Sequence, residues 1–564
     1  MTVDIPRPWL EHYPNGVETE IDPAPLGTVV DVFEKSVADF GPRPALESFG
    51  VRLTYAEIGD IAKKAAAALQ KFGLKKGDRA AIMMPNVMAY PPLVFGILMA
   101  GGVVVNVNPL YTPRELAHQL NDSGARIVFV LENFAHTVAE ALNELKTLET
   151  AVVVSPGDLL GFKGMVVNAV SRWIKRSVKA FSLPSSMRFA DFERVGAHAA
   201  FTPVEIGRED PAFLQYTGGT TGVSKGAVLL HRNIVANVLQ CEKWMVPFFG
   251  ERDDHVMYTA LPLYHILALT GSCLFMVKIG ACQVLIANPR DIDGLAKLFK
   301  SRPPTLVVMV NTLYNVLAQH PGMKDLDFSR LAACISGGMA TQAAVAKRWK
   351  ELTGKPIIEG YGLSETSPVV CVNRLDIEEW TGTIGYPVAS TDVSVRSPDG
   401  DLVPLGEAGE LCVKGPQVMA GYWQRPDETA KVMTDDGFFR TGDVAVLQPD
   451  GEVKIVDRLK DMIAVSGLKV FPNEVEDVLA SHPKVLEAAV IGVPDEHSGE
   501  AVAAYIVPRE GETATADEIR TFAREKLTSY KVPKIVEFRD ALPKTNVGKI
   551  LRRELRDEVI AAGK

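Results

Sequence analysis

From residue 77 to 154 the chain alternates helical periodicity with apolar runs of strand length, and that alternation restricts the fold more than any other feature. Gly77-Asp78 turns into a short apolar strand, Arg79-Ala80-Ala81-Ile82-Met83-Met84-Pro85. A helix near 88–100 follows, then a strand over 103–107, a helix over 113–123 and strands over 126–131 and 151–154. Short buried strands between helices predict a layered α/β architecture. Upstream, residues 30–75 read as helical in two blocks, with Ile58, Ile61, Ala62, Ala65 and Leu69 at helical spacing and Gly73 suited to a C-cap. A second alternating stretch spans 231–380. There an apolar run over 331–335 leads into Ser336-Gly337-Gly338-Met339, and Lys355-Pro356-Ile357-Ile358-Glu359 leads into Gly360-Tyr361-Gly362-Leu363-Ser364-Glu365-Thr366. Glycines at the carboxyl ends of apolar strands are where α/β sheets bind ligands.

The texture changes at 381. Short alternating strands over 393–396, 410–414 and 453–456, separated by Pro, Gly and Asp turns, predict a small β-barrel or sandwich that contains Arg440-Thr441-Gly442-Asp443. A charged joint, Asp457-Arg458-Leu459-Lys460-Asp461, precedes a tail of mixed α+β pattern long enough to fold alone. A chain of 564 residues exceeds one core. The expected division is a large domain over 1–456 (subdomains of about 1–230, 231–380 and 381–456), a joint at 457–461 and a smaller domain over 462–564.

Between two apolar runs, Ala212-Phe213-Leu214 and Ala227-Val228-Leu229-Leu230, lies Tyr216-Thr217-Gly218-Gly219-Thr220-Thr221-Gly222-Val223-Ser224-Lys225-Gly226. Glycines let backbone N–H groups approach a ligand, and turning N–H groups form an anion-binding concavity. Hydroxyls and a lysine add donors suited to a polyphosphate. A hairpin turn with solvated hydroxyls reads equally well from composition. The loop is not a Walker A motif, because Lys225 follows Ser224 and precedes Gly226 instead of opening a helix within Gly-Lys-Ser/Thr.

A net charge of −9 argues against a nucleic-acid binder. Cys241, Cys273, Cys282, Cys334, Cys371 and Cys412 form no CxxC pair, which fits a reducing cytoplasm and neither zinc nor a disulfide framework. The amino terminus shows no secretory pattern, and the longest apolar run, 93–105, is too short to span a bilayer and is broken at Gly101-Gly102. Residues 161–181 differ from the rest: Lys163, Arg172, Lys175, Arg176 and Lys179 stand with no acidic residue and are interleaved with Met165, Val166, Val170, Trp173, Ile174, Val178 and Phe181. A basic amphipathic helix of this kind either lies in a membrane interface or packs on its own domain with a solvated basic face, and the packed arrangement is the expectation.

The 216–226 loop resembles the phosphate loop of the AMP-forming acyl-adenylating superfamily. Five further blocks match in that family's order: Leu261-Pro262-Leu263-Tyr264-His265, the 361–366 block, the 440–443 block, the 457–461 joint, and Pro543-Lys544-Thr545-Asn546-Val547-Gly548-Lys549-Ile550-Leu551. The resemblance covers essentially the whole chain. Val107-Asn108-Pro109-Leu110-Tyr111-Thr112-Pro113-Arg114-Glu115-Leu116 and Leu551-Arg552-Arg553-Glu554-Leu555 look most like bacterial long-chain fatty acyl-CoA synthetases.

The resemblance implies a ligase that joins a fatty carboxylate to AMP, expels pyrophosphate and passes the acyl group to coenzyme A, with Mg2+ as cofactor and ATP and coenzyme A as co-substrates. Joining two anions demands positive charge between them. By resemblance, Lys549 bridges carboxylate and α-phosphate, and Thr366 contacts the α-phosphate. Glu365, with Thr217, holds Mg2+. Asp443 accepts the ribose hydroxyls with Arg458 assisting, Gly337, Gly338, Met339, Gly360 and Tyr361 form the adenine slot, and Gly362 also contacts the nucleotide. Tyr264, His265 and Asn311 border the acyl pocket, and Lys460 or Asp461 is the hinge of a mobile tail that presents Ser466-Gly467-Leu468 to coenzyme A. Ser336, Ala340 and Phe438-Phe439 depart from the family's usual residues.

Rival readings are a short-chain or aromatic acid–CoA ligase, an acyl-AMP ligase that loads a carrier protein, and a non-catalytic fatty-acid or nucleotide binding protein. The absence of an insertion between Lys460 and Pro472 argues against the carrier-loading enzyme, as does the lack of a carrier domain after Lys564. Intact Lys549 and Glu365 argue against the binding protein. The expected location is cytoplasmic. Peripheral contact with the inner membrane and a homodimer stay open.

Overall fold

The computed structural model describes residues 5–217, 224–249, 252–495, 497–545 and 549–561. Two large mixed sheets carry the amino-terminal part. The first has eight strands, with the run Pro211–Thr217, Val103–Asn106, Arg79–Met83, Ile127–Leu131, Thr150–Val154 and Ser186–Arg188 paired in parallel. Period-two alternation sends successive side chains to opposite faces. Ala80, Ile82, Phe129 and Leu131 therefore join the main core shared with Ile58, Ala62 and Phe95, whereas Ala81, Met83, Val128 and Val130 pack on Leu116, Leu120 and Val138. Both faces are covered by helices, which is the condition for uniformly apolar parallel strands. The helix Pro113–Ser123 starts where the sequence provides a reciprocal cap: Thr112 Oγ1 accepts from the Glu115 N–H, and the Glu115 carboxylate accepts from the Thr112 N–H.

The second sheet has nine strands around a parallel core of Ile358–Gly362, Ala333–Ser336, Leu306–Met309, Val256–Thr259, Cys282–Leu285 and Pro44–Ser48. The last of these lies between the two helical blocks expected over 30–75, both of which are present. Between the helices Val29–Phe40 and Tyr55–Lys71 runs a hairpin, Pro44–Ser48 and Val51–Thr54, turned by Phe49 and Gly50 at φ of 48° and 69°. This hairpin belongs to the second sheet, and Gly421–Tyr422 pairs onto the first. The sheets thus interleave across the sequence ranges 1–230 and 231–380 that were expected to hold one subdomain each.

The β-rich stretch forms a four-stranded antiparallel sheet, Asp392–Arg396, Ala408–Lys414, Phe439–Leu447 and Val453–Arg458 in that order. Its two outer strands do not pair with each other, so the expected barrel is an open sheet. The tail is a five-stranded sheet centred on Val485–Asp495 and Gly499–Pro508. Helices Pro472–Ala480 and Ala516–Arg524 cover one face through Val475, Leu479 and Ile519, and Leu542 and Leu555 cover the other.

Residues 161–181 are not one packed helix. Gly161–Ala169 is helical, Val170–Ile174 is a π-turn, and the chain then leaves regular structure. Phe162, Met165, Val166, Trp173 and Ile174 are all exposed, so their apolar face is not packed on its own domain.

Candidate active site

The candidate site forms where the second sheet, the small antiparallel sheet and the tail meet. Antiparallel pairing of Phe439–Leu447 with Val453–Arg458 sets Asp443 opposite Arg458. Arg458 Nε stands 3.1 Å from Asp443 Oδ1, and the Tyr361 hydroxyl, at the end of the strand Ile358–Gly362, donates to Asp443 Oδ2 at 2.6 Å. Asp443 is only 4% exposed, so its charge is held by a cation and a phenol rather than by bulk water.

Lys549 comes from the tail. Its N–H donates to Thr545 Oγ1 at 3.1 Å and its carbonyl accepts from the Thr545 N–H at 2.7 Å, which ties its backbone to Thr545. The side chain is half-buried. Its ammonium is lowered to about 8, first by burial and then by the nearby positive charge of Arg458, against the pull of Asp443. His265 is pushed down to about 4 by burial, with the Lys549 charge adding to that shift. The lysine ammonium therefore lies within electrostatic reach of Asp443, Arg458 and His265 together.

The joint is tied to the tail's last helix, Arg552–Ala561. Arg552 reaches Glu476 at 2.7 Å, Asp457 at 3.5 Å and Asp461 at 3.6 Å, and Arg556 pairs with Asp461 at 2.7 Å. Lys460 is exposed beside the buried Asp461. Ser466 and Gly467, with φ of 51° and 80°, turn an exposed hairpin between Ile463–Val465 and Leu468–Val470.

Glu365 sits on a short turn, Ser364–Thr366. Its Oε1 accepts from the Tyr422 hydroxyl at 2.8 Å and its carbonyl accepts from the Met419 N–H at 2.7 Å. Burial raises its carboxyl above the ordinary range, partly relieved by Tyr422. Gly362 must lack a side chain, because a Cβ there would lie 1.9 Å from the Pro368 carbonyl oxygen. Thr366 is fully buried and donates to that same carbonyl, so in this arrangement its hydroxyl shapes the turn instead of facing a phosphate.

Of the phosphate-loop residues, Gly218, Gly219, Thr220, Thr221 and Gly222 lie outside the described residues. Thr217 and Lys225 face each other at the mouth of the hairpin. Lys225 pairs with Glu428 and lies 5.2 Å from the Tyr422 ring centroid. Ser224 offers its carbonyl to His118 Nε2 at 3.1 Å. Tyr216 donates its hydroxyl to Asp122 at 2.7 Å, away from the role expected for it at a nucleotide. The segment 421–431 thus holds Lys225 through Tyr422 and Glu428, and sequence spacing carried no signal for either.

A Cβ on Gly337 would lie 3.0 Å from Leu267 Cδ2 and 3.3 Å from the Gly360 carbonyl, so the 337–339 loop and the Gly360-Tyr361 backbone stand side by side. Ser336 accepts from the Thr341 hydroxyl at 2.8 Å, which closes that loop where the family more often has glycine. Asn311 is buried and its Oδ1 accepts from the Gln342 N–H at 3.0 Å, so it anchors the same loop. His265 Nδ1 accepts from the Leu267 N–H at 3.3 Å. Behind Tyr264 runs a buried chain that the sequence reading missed: Tyr90 donates to Asn106, Asn106 to Gln215, and Gln215 to the Tyr264 carbonyl, at 2.7, 2.9 and 3.0 Å.

Among the described residues no group of three or more His, Cys, Asp or Glu could cage a metal. A single buried carboxylate with a hydroxyl partner fits Mg2+, which takes most of its ligands from phosphates and water.

The family described as AMP-binding enzyme matches residues 33–423, and the AMP-binding enzyme C-terminal domain matches residues 474–549. The chain is 50% identical over 552 residues to a long-chain-fatty-acid–CoA ligase of Escherichia coli O6:H1, covering 98% of each chain. It is 49% identical over 556 residues to a protein of the same name from Yersinia pestis, again covering 98% of each. Among solved structures, the anthranilate CoA ligase AuaEII in complex with anthranoyl-AMP superposes with a TM-score of 0.85 at 26% identity, over 96% of this chain and all of that one.

Proposed function

The chain belongs to the AMP-binding enzyme family, and on that premise we propose that it is a long-chain fatty acid–CoA ligase acting in two half-reactions. In the first, a fatty carboxylate oxygen attacks the α-phosphorus of ATP, the bond to the β-phosphate oxygen breaks, and pyrophosphate leaves. In the second, the sulfur of coenzyme A, having lost its proton, attacks the acyl carbon and AMP leaves as the thioester forms.

The observation that most supports this reading is the position of Lys549. Its tail-borne ammonium feels the charges of Asp443 and Arg458 and itself shifts His265, so a carboxylate and a nucleotide held among these groups would lie within its electrostatic reach. Its charge offsets the repulsion of two anions, and burial strengthens that effect. Asp443 has the acceptor oxygens for ribose hydroxyls, with Tyr361 and Arg458 holding the carboxylate in place. Glu365, with Thr217, would hold Mg2+, which supplies neutralising charge to the polyphosphate when bound. Rotation about 457–461 would then withdraw Lys549 and bring Ser466-Gly467-Leu468 toward coenzyme A. ATP and coenzyme A are cytoplasmic solutes, which supports a cytoplasmic site of action.

Pyrophosphate release with oleate, compared with octanoate, acetate and benzoate, tests the reading. Preference for oleate and thioester formation only with coenzyme A present are the expected results. Preference for benzoate or acetate would overturn the substrate class, and complete turnover without coenzyme A would overturn the ligase.

A further inference from the structure

The helix that follows His265 contains a glycine that neither its backbone nor its neighbours require. Residues Ala268–Leu274 form a π-helix that continues into Phe275–Lys278. It packs on the strands Val256–Thr259 and Leu306–Met309 and on the helix His231–Met245. Gly271 stands in its middle. Glycine is needed where φ is positive or where another group comes too close for a Cβ, and elsewhere in a helix it destabilises. Neither need exists at Gly271. Its backbone is outside the left-handed region, and a Cβ there would meet nothing within 4 Å. Every other described glycine with such open space has a positive φ. Nor is Gly271 on an open surface, because Thr270 and Ser272 beside it are fully buried and Gly271 itself is half-buried. A glycine that faces free space from within a packed helix keeps that space free.

The space adjoins the candidate site. Ile266, Ala268 and Leu269 are buried, whereas Tyr264, Leu267 and Gly271 are half-buried and recur at helical spacing. One accessible stripe therefore runs down the helix. At its upper end Leu267 lies against the adenine loop, where a Cβ on Gly337 would stand 3.0 Å from Leu267 Cδ2, and His265 feels the charge of Lys549. Thr270 Oγ1 donates to the Ser367 carbonyl at 2.7 Å, which fastens the helix to the turn that carries Glu365. Beyond Gly271 the stripe ends, because Leu274 and Phe275 are buried. Six residues at helical rise place Gly271 about 9 Å beyond His265. Wide π-turns of this kind recur at functional sites.

We infer that Gly271 sets the acyl length the enzyme accepts: the slot it leaves receives the distal part of a long fatty chain. This deepens the ligase reading above and rests on it. An eight-carbon chain that starts near His265 ends at about the level of Gly271, whereas a sixteen-carbon chain has to pass it. The side chains next along the helix, Leu267 and Leu274, are apolar, which suits a polymethylene chain and not a charged or hydrogen-bonding group. A side chain at 271 would point into the slot and shorten it.

The test measures kcat/KM for acyl-CoA formation with octanoate, dodecanoate and palmitate, for the full-length protein and for Gly271→Ala and Gly271→Leu. Gly271→Leu should lose about tenfold or more with palmitate and stay within about twofold of wild type with octanoate. Gly271→Ala should lose about threefold with palmitate. Its thermal unfolding should be no lower than that of wild type, because alanine suits a helix better than glycine. The palmitate-to-octanoate ratio is the decisive readout, since a misfolded fraction lowers both values alike. A ratio unchanged in both variants would overturn the inference and leave the ligase reading standing, as would a greater loss with octanoate than with palmitate. Wild-type protein that used octanoate but not palmitate would overturn the long-chain reading itself, and with it the occupant assigned to the slot.

Discussion

Arg458 Nε and Asp443 Oδ1 stand 3.1 Å apart across an antiparallel strand pair, and Tyr361 completes the carboxylate's contacts from the neighbouring sheet. The charge that would receive the ribose is therefore positioned by two independent elements before any ligand arrives. Asp443→Ala would remove the acceptor and leave Arg458 without its partner. The expected outcome is a loss of about 10- to 100-fold in kcat/KM for ATP, with the KM for fatty acid changed far less. Parallel losses for both substrates would place Asp443 in the frame of the site rather than at the nucleotide.

Lys549 gives a pH signature. Burial and Arg458 lower its ammonium to about 8, so in the free protein it loses its proton, and with it the bridging charge, as pH rises through about 8. ATP brings negative charge to the same place and favours the protonated form. The profile of kcat/KM for ATP, which reports the free enzyme, should fall on its basic side near that value, whereas kcat should hold to higher pH. Lys549→Ala should cut acyl-AMP formation by about 10²- to 10³-fold and leave pre-formed acyl-AMP convertible to acyl-CoA. Equal loss in both half-reactions would refute the bridging role.

Local features of this chain were legible because local physics sets them. The helix over 113–123 and the strands at 103–107 and 126–131 read directly from apolar periodicity. Glu365, Asp443 and Lys549 stood out as motif members. Their partners did not, because Tyr422 is 57 residues from Glu365 and Glu428 is 203 from Lys225, and no spacing rule spans such gaps. The hairpin at 44–54 was missed because helical spacing on either side masked a strand-period run around Phe49-Gly50. The exposure of Trp173 was misjudged for a related reason. An amphipathic pattern states that one face is apolar, and only the packed fold states which way that face points.

Glu365 supplies a second electrostatic test. Its carboxylate is buried, raised by desolvation and steadied by Tyr422, so it gains most when a cation arrives. Glu365→Gln keeps the hydrogen bond from Tyr422 and removes the charge. The Mg2+ concentration for half-maximal pyrophosphate release should rise about tenfold, with little change in thermal unfolding. Gly362→Ala should act differently, because its Cβ would collide with the Pro368 carbonyl and displace the turn. A loss of activity that added Mg2+ does not restore is expected there.

The joint decides whether one active site can serve both half-reactions. In this arrangement Asp461 is buried and held by Arg556 and Arg552, and Arg552 also pairs with Glu476 within the tail and reaches Asp457 at the end of the strand Val453–Arg458. The tail is thereby latched with Lys549 inward. Release for the thioester step would require the Arg552–Asp457 pair to open and the backbone near Lys460 to change its dihedral angles. Proline fixes φ and restricts the residue before it, so Lys460→Pro should stiffen the joint without touching the latch. Adenylation, measured as pyrophosphate release in a single turnover, should survive, and conversion of pre-formed acyl-AMP to acyl-CoA should slow about tenfold or more. Arg556→Ala should weaken the latch instead and slow adenylation relative to thioester formation. If Lys460→Pro slowed both steps alike, the tail would not need to turn at this joint, and the same arrangement of Lys549 would have to accommodate coenzyme A.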